Sequence, residues 1–367
     1  MKQLLAVLTF LVILGHAEGQ TIQLKGSQLS LPAGNVIGAA FNHDQLILQQ
    51  SVLTAQGGTI RSQRRLLLID AKSGTIIKTA MLPATNGSLV GNHCGDVAAD
   101  PDLISVYVCS SAGTISVLNV ETLRPRISID CEHRIETFGL DEVHHRLFVI
   151  SQDPAGQYLT VFDATNGAKL ESVTTSTGVI DSAQLAVNPH TQRLALAESV
   201  LKHSGYKTDI YACMYGEHLR CDPVTQTGQV SQIALSGNEL LTASGLLNDD
   251  PHICLEQTNI VTKATSRPYC APGGVHYGVG ALSDGYIVAY TGISKRLHFK
   301  EETKPLESSV SLWKIEDPQV AATASQQGQE GAFLGGARIA SSGRGNEFLL
   351  FSNTSNIAVL YRLYKDS

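Results

Sequence analysis

The chain has 367 residues, 43% hydrophobic and 16% charged, with 33 glycines and a net charge of −6. This composition excludes a disordered chain, and the mildly acidic balance offers no electrostatic basis for nucleic-acid binding. Length alone allows two domains, but a repeat that closes into one ring can outgrow ordinary domain size.

The chain opens with a positive charge at Lys2 and an apolar stretch from Leu4 to Leu14. That stretch is shorter than the roughly 20 residues a membrane-spanning helix needs. Gly15, Ala17 and Gly19 follow as small residues. The pattern is that of a signal peptide, cleaved after Ala17 or Gly19. Residues 1–19 are therefore expected to leave, and residues 20–367 to form one domain in a secreted or periplasmic protein. No other long apolar run follows, so no membrane span is expected after cleavage.

From Ile37 onward one unit recurs seven times. A short strand ends in turn formers and a second, apolar strand follows at once. The first strands are Ile37–Asn42, Asp96–Asp100, Glu136–Asp141, Ser182–Asn188, Ser231–Ser236, Val279–Ser283 and Ala337–Ser342. Their partners centre on Leu46, Val106, Phe148, Ala195, Leu240, Val288 and Leu349, which lie 60, 42, 47, 45, 48 and 61 residues apart. A period of this size built from short strands specifies a β-propeller: all-β, seven blades, each a four-stranded antiparallel sheet.

The outer half of each repeat is clearest in three copies: Leu66–Asp70 leading to Ile76-Ile77, Ile115–Asn119 leading to Thr122-Leu123, and Leu159–Asp163 leading to Leu170. An Asp or Asn after the third strand can accept hydrogen bonds from the turn, and a glycine there supplies positive φ. Ser311–Glu316 reads as a sixth copy, with the fourth and fifth degenerate. The last repeat stops after three strands, at Ile357–Leu363. The segment from Thr21 to Leu31 is expected to supply its missing outer strand and close the ring.

The run Tyr158-Leu159-Thr160-Val161-Phe162-Asp163-Ala164-Thr165-Asn166-Gly167, preceded by Arg146-Leu147-Phe148-Val149, resembles the bacterial YVTN-type propeller repeats and the wider quinoprotein-like propeller group. The likeness covers the first three blades; the others match only by period. It implies a WD40/YVTN-like fold. The group includes surface proteins, binding modules and some enzymes, so it leaves activity open.

Export makes the seven cysteines readable as disulfides, with buried free thiols as the alternative. Cys213 and Cys221 can close a small loop, and Cys254 and Cys270 can face each other across a hairpin. Cys94 and Cys109 flank the turn at Pro101-Asp102. A symmetric turn sets Ala99 opposite Ile104 and Cys94 opposite Cys109, leaving Cys131 unpaired. Asn86-Gly87-Ser88 and Asn353-Thr354-Ser355 are acceptor sequons, meaningful only in a host that glycosylates.

The motifs of known propeller chemistry are missing. No Asp-box run, no Trp-Asp dipeptide and no Gly-x-Ser-x-Gly elbow occurs, and Trp313 is the one tryptophan. Gly273–Gly280 has spaced glycines without a strand-then-helix setting and reads as turn and strand. His144-His145 are adjacent and should point apart, and His93-Cys94 has no matching ligand pair. Asp96, Asp100 and Asp102 gather near one turn without calcium-loop spacing and read as turn caps. No metal, cofactor or catalytic residue is assigned.

The longest insertions follow the second strands of blades one, four and six, at Ser51–Arg65, Ser199–Lys207 and Gly292–Glu307. They are expected as loops on the face that carries the inter-blade crossovers. They hold Arg61, Arg64, Arg65, Lys202, His203, Lys207, Lys295, Arg296, His298, Lys300 and Lys304. A basic rim on an acidic protein suits an anionic ligand or a protein partner. The alternative is ordinary solvated loops paired with Glu301, Glu302 and Glu307. The leading expectation is an exported, monomeric, non-catalytic propeller that binds through this face. The alternatives are a channel-mouth enzyme of lactonase, hydrolase or quinoprotein-like type, and a structural module of an envelope assembly.

Overall fold

The second strand of every repeat is apolar along its whole length, so it has to be covered on both faces. The computed structural model covers each one between neighbouring sheets. It describes residues 13–14, 16–17, 20–56, 59–82, 94–202, 205–228, 230–244, 254–270, 274–282, 285–293, 309–325, 337–342, 345–352 and 356–365. Seven antiparallel sheets stand around one axis, each contributing four strands to the ring. From axis to rim, blade one runs Asn35–Asn42, Gln45–Gln56, Thr59–Asp70 and Ile76–Met81. Blade two runs Val97–Asp100, Ser105–Ser111, Thr114–Asn119 and Pro125–Asp130, and the same order continues through blade six.

Packing between blades follows side-chain parity. In blade one, Ile47 turns toward Val106 and Val108 of blade two, while Leu46 and Leu48 turn toward Leu349 and Leu360 of blade seven. All of these but Leu360, at 1%, have no exposed surface. Each such side chain contributes about 1.5–3 kcal/mol by leaving water. The inner strands of blades one and two approach closely: a Cβ on Gly38 would meet the Gly95 carbonyl oxygen at 1.9 Å. Only glycine fits there, because backbone cannot yield as a side-chain tip can.

The ring closes as expected. Gln20–Gln28 pairs antiparallel with Ala358–Lys365, with Leu24 opposite Leu363 and Gln28 opposite Val359. Leu24 and Ile22 are buried with Ala322 and Ala324 of blade six and Leu363 of blade seven. A Cβ on Gly26 would sit 2.7 Å from the Tyr361 ring, which is itself stacked on Phe348 with centroids 5.0 Å apart. Two short strands precede the closure. Ile13–Leu14 pairs with the rim strand of blade six, and His16–Ala17 forms a hairpin with Gln20 and Thr21. Both fall in the segment expected to be cleaved.

One backbone device repeats in all seven blades. The residue after the third strand, or in blade seven one near its end, donates its N–H to a carbonyl in the turn between the first two strands. The pairs are Ala71 to Asp44, Val120 to Ile104, Ala164 to His145, Tyr215 to Gln192, Ile260 to Asn238, Ile315 to Gly285 and Leu363 to Asn346. The turn after the third strand also has a common form in four blades. Asp70, Asn119, Asp163 and Asn259 each accept side-chain bonds from the turn, and each carbonyl accepts from the residue four positions on. That residue takes positive φ: Gly74 at 69°, Leu123 at 54°, Gly167 at 77° and Lys263 at 63°.

Blade five is therefore a regular copy, not a degenerate one; Lys263 stands where glycine was the signal. The sixth copy departs from its expected form. Its third strand ends at Lys314, which pairs with Asp317 across the two residues Ile315 and Glu316. No room remains for the longer capped turn.

Two disulfides form, Cys94–Cys109 with Cα atoms 6.1 Å apart and Cys213–Cys221 at 4.0 Å. The turn between the first pair is not the symmetric one expected at Pro101-Asp102. Asp100 opposes Ser105 and Ala99 opposes Val106, so the turn is two residues longer than a symmetric Pro101-Asp102 turn. Cys94 reaches Cys109 because it lies before the strand, outside the ladder. Cys131 is free and buried, its thiol pushed up to about 12 by desolvation. Backbone pairing sets Cys254 opposite Cys270, while their side chains lie outside the described residues.

Ile104 holds a left-handed φ of 51° with a β-branched, 43% exposed side chain. Ile104→Asn should raise the unfolding free energy by about 1 kcal/mol, read from urea titration, because Asn tolerates that backbone region. Non-reducing peptide mapping should recover a linked Cys254–Cys270 fragment, since directly opposed strand residues sit within disulfide reach.

Candidate functional site

Antiparallel topology gives the ring two unlike faces. One carries the turns between first and second strands. The other carries the inter-blade crossovers and the hairpins between second and third strands. On this second face, blades one and four project, and they do so as strands. Gln45–Gln56 and Thr59–Asp70 stay in register from Gln45 opposite Asp70 to Gln56 opposite Thr59. Arg193–Lys202 and Gly205–Met214 stay paired out to Lys202 opposite Gly205. The insertions Ser51–Arg65 and Ser199–Lys207 are thus ladder extensions rather than loops. Val52, Leu53 and Thr54 opposite Gln63, Ser62 and Arg61 continue the backbone bonds that a loop would have to give to water.

The extension changes what its arginines do. Arg64 Nη1 donates to the carbonyls of Cys94 and Cys109, both at 2.8 Å. It ties the projecting hairpin to the disulfide of blade two. Burial lowers its pKa from the ordinary arginine value, with Asp96 opposing that shift. Arg65 donates to Gln50 Oε1 through Nε at 3.1 Å and Nη2 at 2.6 Å, and also to the Ala33 carbonyl. Gln50, fully buried, donates from its amide nitrogen to the Pro32 and Gly34 carbonyls. These two guanidinium groups anchor the chain entering blade one.

The other basic residues are placed differently. Lys202 is exposed near the end of the blade-four hairpin. Lys207 Nζ lies 3.4 Å from Asp209. Arg61 lies in the ladder opposite Thr54, its side chain outside the described residues. His203, Lys295, Arg296, His298, Lys300 and Lys304 lie outside the described residues altogether, as do His93, Asn86 and Asn353. Sequence reasoning missed the apolar part of this face. Leu53 is 69% exposed on the first hairpin, and Val179 and Leu201 are 62% and 56% exposed beside the fourth. Asp181 fastens the crossover to this hairpin: its N–H donates to the Ser199 carbonyl, and its carboxylate accepts from Leu201 N–H at 2.5 Å.

The axis beneath this face is crossed by side chains. Asp96 of blade two accepts from Thr137 Oγ1 and Phe138 N–H of blade three and pairs with Arg338 of blade seven at 3.5 Å. Gln232 of blade five accepts from Val279 N–H and Ile339 N–H and donates to the Ile339 carbonyl at 2.6 Å. Its amide supplies the partners that the free inner edges of blades six and seven lack. Below it a cavity of about 1020 Å³ runs to the turn face. Ala39, Val97, Leu140, Leu185, Val187, Leu235 and Ala281 line it, and His43, Glu142, His190 and Glu347 stand at its mouth.

The carboxylates and histidines singled out from sequence act between blades. Asp100 accepts from Leu103 N–H and meets His145 Nδ1 of blade three at 2.7 Å. Asp141 meets His144 Nδ1 at 2.7 Å and accepts from Tyr215 OH of blade four at 2.9 Å. Adjacent His144 and His145 therefore point to different partners. Asp96 and Asp100 sit at opposite ends of one strand and Asp102 outside it, so the three do not converge. Among the described residues no group of three metal-ligating side chains gathers.

A buried carboxylate lies under the blade-four hairpin. Glu198 is 2% exposed, and the Gln157 amide, with its nitrogen turned inward, donates to both oxygens at 2.6 and 3.2 Å. Desolvation lifts its carboxyl above the usual glutamate value, with the nearby Thr175 and Ser176 hydroxyls opposing the shift. Matched against known proteins, the chain fits no family model and resembles no curated protein.

A raised folded pKa for Glu198 means that the native state holds its proton more tightly than the unfolded chain. Stability contributed at low pH is then lost as pH rises from the ordinary glutamate range, about 4.3, through the folded value. Glu198→Gln should flatten this dependence. Urea midpoints at pH 4 and pH 8 should differ less in the variant than in the wild type, with the variant the more stable at pH 8.

Proposed function

We propose that this protein is an exported, non-catalytic propeller, of YVTN-like ancestry, that holds a protein partner through the hairpin face. The observation that carries this reading is the pair of projecting hairpins with large apolar side chains exposed on them: Leu53 on one, Val179 and Leu201 against the other. Binding residues concentrate where a stiff scaffold carries projecting segments, and these side chains stand on such projections. The charge of the partner follows from what flanks them. Lys202 and Lys207, with Arg61, His203, Lys295, Arg296, His298 and Lys300 in the same three insertions, favour an acidic or otherwise anionic surface. Arg64 and Arg65 are left out of the contact set, because their guanidinium groups already serve backbone carbonyls and Gln50.

A second reading places a small ligand in the axial cavity, where aliphatic side chains stand beside the Gln232 amide and polar residues such as His43, Asn188 and Glu347. The channel-mouth enzyme belongs to this reading.

Polyglutamate is a suitable probe of the first. Lys202→Glu combined with Lys295→Glu and Arg296→Glu should weaken its binding by about tenfold, about 1.4 kcal/mol, with affinity falling as salt rises. Unchanged affinity in the triple variant would remove the hairpin face.

A further inference from the structure

The rim strand is the last of a blade's four, and such an edge invites pairing with another chain unless something blocks it. Six of the seven rim strands carry a mid-strand charge: Lys78, Arg126, Glu171, Asp222, Arg267 and, in blade seven, Lys25. Blade six does not. After Asp317 and Pro318 its strand runs Gln319–Ser325 with neither charge nor proline. Ala322 and Ala324 turn inward against Ile22, Leu24 and Leu363, so the strand is held from one side by the closing strand of the ring. Val320 remains 44% exposed.

This edge already accepts a strand. Ile13 pairs with Thr323 and Leu14 with Ala322, antiparallel, on the outer side of the sheet. Those two residues belong to the leader expected to be removed after Ala17 or Gly19. Cleavage would strip the cover from an uncharged edge and leave the ring otherwise intact, since the closing strand starts at Gln20.

We propose that in the exported protein the rim edge of blade six accepts an extended, aliphatic segment of a partner polypeptide by strand addition. Main-chain hydrogen bonds would supply the affinity and aliphatic side chains the fit. The occupant is a single free segment rather than another propeller edge, because a short aliphatic stretch is what the edge holds here. The surface lies on the rim, away from the hairpin face, and it depends only on loss of the leader.

The test uses the protein purified after export, its N-terminus read by mass spectrometry. A peptide with the sequence of residues 10–18 and a soluble tail is added, and amide exchange is followed. Exchange at residues 320–325 should slow by about tenfold. An analogue N-methylated at alternate positions should give no protection, because it keeps the side chains and loses the main-chain donors. Thr323→Lys, checked for unchanged thermal unfolding, should abolish the effect. Retention of residues 13–17 in the exported protein would overturn the proposal. Equal protection by the methylated peptide, or none at residues 320–325, would do the same. Concentration-dependent protection of this edge without peptide would assign it to a second copy instead.

Discussion

The pairing of Gln20–Gln28 with Ala358–Lys365 is the constraint on which the rest of this molecule depends. Each blade is covered by its neighbours, so no sheet is finished until all are in place, and the last is finished by the first residues of the domain. Leu24 and Ile22 carry this coupling into the core, since they are buried at once against blade six and blade seven. Gly26 must remain without a side chain for the strand to lie on Tyr361. An open ring would expose the apolar faces of two blades, so closure and stability are one property.

The same logic explains how the polar groups are used. Asp100 with His145, and Asp141 with His144 and Tyr215, connect successive blades near the turn face. Asp96 and Gln232 connect non-adjacent blades across the axis. Inner strands present backbone groups toward the axis that no fifth strand can satisfy. A carboxylate and an amide answer part of that demand, above an axial cavity lined by the inner strands. Charged residues that look like a site in a linear reading thus serve as ties between sheets.

The proposed binding surfaces lie where the ring leaves structure over. Blades one and four extend their middle hairpins past the common height of the ring, and blade six has a rim strand without the charges its counterparts carry. Both are departures from an otherwise regular repeat. In a scaffold whose blades have the same task, a blade that differs has been shaped by something other than the fold.

The number of blades, the order of strands and the closure by the N-terminal strand were all legible in the sequence. Apolar runs such as Leu147–Ile150 and turn formers such as Asp163 to Gly167 are local signals, set by burial and by backbone angles. Local signals failed where one residue type replaced another in the same geometry, as Lys263 does for glycine, and where a turn was longer than symmetry suggests, as at Asp100–Ser105. The use of Arg64 and Arg65 was decided only by tertiary structure. Whether a guanidinium faces water or a buried carbonyl depends on which strand lies beside it, and that neighbour comes from another blade. Sequence by itself determines the ring because strand pairing here is mostly between neighbours in the chain; the chemistry of its surfaces is settled by contacts between residues far apart.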